Sequence, residues 1–292
     1  MLRTIENEFL TVTVDETGAQ LMSVKSKENG SEYLWQGDSR YWADRAILLF
    51  PICGRLFGGK YTFRGQDYEM TIHGFLRREH LAVTHMTDDS VTFTLSANER
   101  TLKEYPFRFM YQITFSLCGR RLDTSIRVTN TGTEVLPFAV GGHPGFNVPL
   151  EDGLKFSDYY LEFSEETPVK KLILSDTCFM TPKTEPWKLE DGKIYRLHHD
   201  MFDNDAIFVT DMADSVTLKS DKGTRSVTVT YPDTPYLGFW HKPKTEAPYL
   251  CIEPWHGLPS DDGFVDDLDA KHDMVRLPAG LFWETSFSIE IR

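Results

Sequence analysis

Along most of the chain apolar and polar residues alternate, and a period of two is the signature of strands buried on one face. It runs through Leu10, Val12 and Val14, through Val91, Phe93 and Leu95, and through Tyr111, Ile113, Phe115 and Leu117. It recurs at Ile126 and Val128, at Val216 and Leu218, at Val227, Val229 and Tyr231, and at Trp283, Phe287, Ile289 and Ile291. Between such runs lie turn signals, namely Glu28-Asn29-Gly30-Ser31, Asn130-Thr131-Gly132-Thr133, Asp191-Gly192-Lys193 and Ser220-Asp221-Lys222-Gly223, which predict antiparallel connections. Helical periodicity is confined to short turns around Asp38–Arg45 and Asn98–Glu104, so alternating strand–helix folds are excluded.

No fixed-period repeat, low-complexity tract or Pro/Ser-rich linker interrupts the chain, and its 15 prolines are spread through loops. The pattern predicts one all-β domain over residues 1–292, a large antiparallel β-sandwich able to hold a ligand across a concave sheet face. Composition agrees, since 40% hydrophobic and 13% aromatic residues fill a large core and leave rings for a binding cleft.

A net charge of −13 disfavours nucleic acid and anionic membrane surfaces as partners, because both demand neutralising Lys and Arg. The segment Met1-Leu2-Arg3-Thr4-Ile5-Glu6-Asn7-Glu8 has no apolar stretch of the secretory kind. The longest apolar run, Ala46–Cys53, contains a proline and is far short of the ~20 residues of a membrane span. A cytoplasmic location is therefore expected. Cys53, Cys118, Cys178 and Cys251 form no CxxC pair and are expected to be four buried, reduced thiols. The pattern leaves the oligomeric state open.

Three segments break the alternation, and each joins Gly or Pro to an ionisable residue, as loops and bulged strands do where they expose side chains at a site. The first is Phe50-Pro51-Ile52-Cys53-Gly54-Arg55, followed by Thr71-Ile72-His73-Gly74-Phe75-Leu76-Arg77. The others are Val140-Gly141-Gly142-His143-Pro144-Gly145-Phe146 and Cys251-Ile252-Glu253-Pro254-Trp255. An imidazole with a pKa near ~6.5 exchanges protons at neutral pH, and a carboxylate between Ile252 and Pro254 is placed to be desolvated into a stronger base. His73, His143 and Glu253 thus make an acid–base set. Trp255 beside Glu253 suits a sugar, whose C–H face an aromatic ring covers while the acid addresses hydroxyls; Trp35, Trp42, Phe75, Phe146 and Trp240 are further candidates for that work.

The ordered series Gly54-Arg55, His73-Gly74-Phe75, Tyr105-Pro106-Phe107, Val128-Thr129-Asn130-Thr131-Gly132, Gly142-His143-Pro144-Gly145-Phe146 and Ile252-Glu253-Pro254-Trp255 resembles the motif series of the aldose 1-epimerase (galactose mutarotase-like) family. The resemblance runs from about Ile5 onward and implies a β-supersandwich and interconversion of the α and β anomers of a hexose or hexose phosphate. It implies Glu253 as the general base at the C1 hydroxyl, His143 as the general acid at the ring oxygen, and His73 as their assistant. It aligns Arg55 and Asp205 with substrate-binding residues. The segment His73-Gly74-Phe75-Leu76-Arg77 departs from the His-Gly-Gly of typical galactose mutarotases and is similar to the branch that acts on hexose 6-phosphates, which aligns Arg77 with a phosphate-holding arginine. The implied chemistry needs proton transfers alone, so no cofactor and no metal are expected.

A glycoside hydrolase with paired carboxylates is the nearest rival, with Asp205 as its second acid, but it has no use for two Gly-flanked histidines. A non-catalytic carbohydrate-binding sandwich would keep the aromatics without the acid–base set. His198-His199-Asp200 and the acidic tract Asp261–Asp269 are the metal candidates, and neither has ligand spacing: adjacent histidines in a strand point to opposite faces, and the tract reads as a solvated loop at the site rim.

Overall fold

A computed structural model describes all 292 residues. Most of the alternating runs fall in one antiparallel sheet of nine strands, whose centre pairs Arg121–Asn130 with Phe109–Cys118 on one side and with Phe282–Ile291 on the other. On the inner face of that pair Tyr111, Ile113, Phe115, Ile126 and Val128 are buried, each worth roughly 1.5–3 kcal/mol on full burial.

The second sheet carries the site. Its strands are β1 (Ala46–Leu49), β2 (Gly141–Asn147), β3 (Lys170–Leu174), β4 (Met180–Pro186), β5 (Ile207–Thr210), β6 (Tyr236–Trp240) and β7 (Tyr249–Trp255). They are ordered β4-β3-β5-β6-β7-β2-β1, all antiparallel. The two sheets pack face to face: Phe50, at the end of β1, lies 4.9 Å from Phe109, and Phe239 of β6 lies 6.4 Å from Phe163 of the nine-stranded sheet. They share one hydrophobic cluster of 74 buried residues. Every residue of β7 is buried, because one face meets the other sheet and the opposite face lines a cleft. A strand covered on both faces loses its polar alternation, which is why the sequence reads there as a break. No helix is long and apolar enough to cross a membrane.

Four expectations are corrected. Asp38–Arg45 is not helical, since Asp38 and Trp42 form an isolated bridge and the Asp38 carboxylate accepts the Arg40 N–H at 2.9 Å, closing a tight turn instead. Two of the four cysteines are not buried: Cys118 is exposed at a strand end and Cys178 is half-buried in the β3–β4 hairpin with φ 64°. His198 and His199 do not share a strand; His199 opens a short 3-10 turn whose imidazole meets that of His241 at 3.1 Å, and His198 pairs with Asp200. In the acidic tract Asp266 is buried, bonded to Ser260, while Asp261 and Asp262 are exposed.

Candidate active site

The side chains of His73, His143, Glu253, Arg55, Asp205 and Arg77 line a single cleft on the outer face of the seven-stranded sheet, with aromatic walls and a few convergent polar groups as a small-molecule site has. Strand register explains the central pair. Gly141 lies opposite Trp255 and Gly145 opposite Cys251 in the antiparallel β2–β7 ladder, so His143 and Glu253 face each other across it and project to the same side. His143 Nε2 is 3.2 Å from Glu253 Oε2, with both side chains nearly sealed from solvent, at 8% and 2% exposure. His143 Nδ1 is buried without a hydrogen-bond partner, which leaves Nε2 as the ring atom that carries the exchangeable proton. Gly142 beneath is required by the opposing sheet, since a Cβ there would lie 2.7 Å from the Phe287 ring.

His73 arrives from a loop. It has φ 65°, is followed by Gly74 at φ 74°, and a Cβ on Gly74 would stand 2.1 Å from the Phe50 carbonyl oxygen. The loop is thereby tucked against the end of β1, and His73 is locked at both ends to one residue: its N–H donates to the Gly54 carbonyl at 2.8 Å, and the Gly54 N–H donates to its Nδ1 at 3.1 Å. An Nδ1 that accepts a backbone proton places the ring proton on Nε2 in the neutral imidazole, so His73 is a fixed donor. Its ring stands edge-on to His143 and to Trp255, with centroids 5.3 and 5.5 Å away.

Burial governs the protonation of all three. It pushes both histidines toward the neutral form, with His143 lowered to about 3 and His73 well below the usual range, the latter also opposed by His143, Arg77 and Arg55. It raises the Glu253 carboxyl well above the ordinary carboxylate range, helped by the negative charge of Asp205. Adjacent groups displaced this way hold a single proton between them over a wide pH range.

Both arginines are committed to carboxylates. Arg55 Nη2 donates to Asp205 Oδ2 at 2.9 Å, and Trp240 Nε1 donates to Asp205 Oδ1 at 3.0 Å. Arg77 Nη2 donates to Asp44 Oδ2 at 2.7 Å. Among the aromatic candidates Trp42, Trp240 and Trp255 line the cleft, with Trp42 at 4.8 Å from the His143 ring, whereas Trp35, Phe75 and Phe146 are buried elsewhere in the core. Sequence reading missed Leu174, Cys178, Ala206 and Phe208, which also line the cleft. None stands in a Gly- or Pro-punctuated motif, and only the fold of the sheet and its hairpins brings them to the wall.

Comparison with known proteins is consistent across sequence and structure. A family model described as aldose 1-epimerase matches residues 1–265. The chromosomal protein LacX of Lactococcus lactis subsp. lactis is similar at 37% identity over 262 residues, 87% of each chain. The solved structure of a galactose mutarotase related enzyme from Lactobacillus acidophilus superposes with a TM-score of 0.95 at 33% identity, covering 100% of this chain and 97% of that one. A galactose mutarotase-like protein from Lactobacillus casei gives 0.95 at 31% identity, with 100% of each chain covered.

Proposed function

The chain belongs to the aldose 1-epimerase family of isomerases, and we propose that it interconverts the α and β anomers of a neutral aldopyranose in this cleft by general acid–base ring opening and closure. The observation that carries the reading is the buried His143–Glu253 pair, 3.2 Å across and aimed into the cleft. The reaction moves protons on two oxygens bonded to the same carbon, C1. A pair holding one proton does this without exchange with water: the proton resting on Glu253 passes to His143 Nε2 and on to the ring oxygen, and Glu253, now a carboxylate, takes the proton of the C1 hydroxyl. The C1–ring oxygen bond breaks, the C1 oxygen becomes an aldehyde, and the pair again holds one proton. Rotation about C1–C2 and the reverse transfers close the ring on the other face.

His73 supports this as a fixed donor whose Nε2 proton steadies the oxygen on which negative charge develops. Trp42, Trp240 and Trp255 suit the C–H faces of a pyranose, and the Arg55–Asp205 pair offers a donor and an acceptor to its hydroxyls. Positioned acid–base groups contribute roughly 10²–10⁴-fold each, enough for a reaction that already proceeds slowly in water.

The commitment of Arg77 to Asp44 and of Arg55 to Asp205 favours an uncharged sugar over a sugar phosphate. A dianion here would meet two arginines whose charge is already balanced, and binding it would cost a carboxylate its partner. Exchange NMR on galactose, glucose and glucose 6-phosphate tests both levels. Faster α/β exchange on the free sugars is expected; acceleration of the phosphate alone would overturn the substrate assignment, and acceleration of none would overturn the function.

A further inference from the structure

We propose that His143, Cys251 and Glu253 form a three-ligand site for a zinc-class divalent cation, and that such an ion inhibits the enzyme by occupying its acid–base pair. Cys251 and Glu253 stand two residues apart on β7 and so share its cleft-side face, and His143 joins them from the neighbouring strand β2. A residue pair at this spacing with a cross-strand neighbour brings three side chains to one point. One ligand atom from each of the three lies within 4.8 Å of the others, and all three residues are buried.

The existing geometry is near what zinc requires. With bonds of ~2.0–2.1 Å to nitrogen and oxygen, neighbouring ligands of a tetrahedral ion lie ~3.3 Å apart, and His143 Nε2 and Glu253 Oε2 are already 3.2 Å apart. The thiol must approach to roughly 3.6 Å from each, a closure of about 1 Å that a cysteine side-chain rotation supplies. Glu253 Oε2 is buried and without a hydrogen-bond partner, so it is free to ligate. The donor set of thiolate, imidazole and carboxylate selects zinc-like ions over magnesium and calcium, which take oxygen alone.

Charge is balanced as well. Binding sends the thiol proton and the single proton of the His143–Glu253 pair to solvent, and a dication with one thiolate and one carboxylate is a neutral assembly, which suits a buried position. Cys251 is buried in a cluster with Trp35, Ala247 and Tyr249, against which Trp42 and Trp240 pack, while His143 and Glu253 line the cleft through which an ion would enter. The acid–base mechanism leaves the Cys251 thiol without a role; metal ligation gives it one.

Inhibition rests on the mutarotase reading, whereas binding does not, so two readouts are needed. Zn²⁺ is titrated against anomer exchange, and Co²⁺ is titrated as a spectroscopic probe of thiolate ligation. The parent is expected to be inhibited by Zn²⁺ and to show a thiolate-to-cobalt charge-transfer band. Cys251→Ser and Cys251→Ala should lose that band and need at least about tenfold more Zn²⁺ for the same inhibition, while Cys118→Ser and Cys178→Ser keep the parent response. Equal sensitivity of the Cys251 variants, relief by Cys178→Ser, or absence of the band in the parent overturns the site. A Cys251-dependent band in a protein that accelerates no anomer exchange would uphold the site and sink the functional reading instead.

Discussion

Replacing Glu253 by Gln keeps the shape of the side chain and removes only its ability to accept a proton. The side chain is 2% exposed and 3.2 Å from His143 Nε2, and no other carboxylate is placed against that imidazole to take over as base. The expected loss in kcat/KM for anomer exchange is about 10³–10⁴-fold, the upper part of the range for a positioned base, or ~4–5.4 kcal/mol of transition-state stabilisation. Stability should move the other way. Burial raises the folded-state pKa of Glu253 well above 4.5, so above that pH the folded protein holds a proton that the unfolded chain has lost. The unfolded state then binds fewer protons, and stability falls with rising pH by up to about 1.4 kcal/mol per unit until the folded-state pKa is passed. Gln does not titrate, and the variant should gain on the parent as pH rises from 4.5 toward the raised folded-state pKa of Glu253. Polarimetry or exchange NMR measures the first effect and denaturant unfolding at several pH values the second. A folded variant within about threefold of parental activity would refute Glu253 as the base, and a stability difference that does not change with pH would refute its buried, proton-holding state.

Other consequences follow from the same geometry. His73→Asn keeps a residue type that tolerates φ 65° and an oxygen able to accept the Gly54 N–H, yet removes the Nε2 donor; kcat should fall about ten- to hundredfold with little change in Tm, and unaltered kcat would contradict the fixed-donor role. Arg55→Met leaves the charge of Asp205 without its partner, and since Asp205 already raises Glu253, the alkaline limb of the pH–rate profile should move to higher pH; a shift downward or none at all counts against that coupling. His73, His143, His241 and His256 are all held neutral by burial, the last two at about 4. Below about pH 6.5 the unfolded chain therefore binds protons that the folded one refuses, and urea unfolding should show stability dropping steadily toward pH 4. Gly74→Ala places a Cβ 2.1 Å from the Phe50 carbonyl oxygen at φ 74°, which should cost at least about 3 kcal/mol by thermal or denaturant melting; a change under about 1 kcal/mol would show that the loop carrying His73 is not pinned there.

Much of the architecture was legible because a period of two needs no tertiary information. Where one face of a strand is wet and the other dry, as in Phe109–Cys118 and Arg121–Asn130, the alternation is written residue by residue. The same rule fails for β2 and β7, buried on both faces, and that failure pointed to the site: the segments holding His143 and Glu253 were conspicuous because they did not alternate. The helical reading of Asp38–Arg45 went wrong because an Asp carboxylate that bonds a nearby backbone N–H closes a turn as readily as it caps a helix.

The sequence by itself determined the strands, the acid–base residue types and the family series that orders them. The tertiary structure decided what one dimension cannot hold. Strand register set Glu253 opposite His143 and Cys251 on the same face, a loop fixed the His73 tautomer through Gly54, and burial moved Glu253 and His143 in opposite directions so that one proton serves both. Pairing of Arg55 with Asp205, 150 positions away, and of Arg77 with Asp44 put both of the expected substrate-binding arginines into ion pairs. Distance along the chain carries no record of these contacts, because hydrogen bonds and desolvation depend on separations in space, which only the packing of the two sheets establishes.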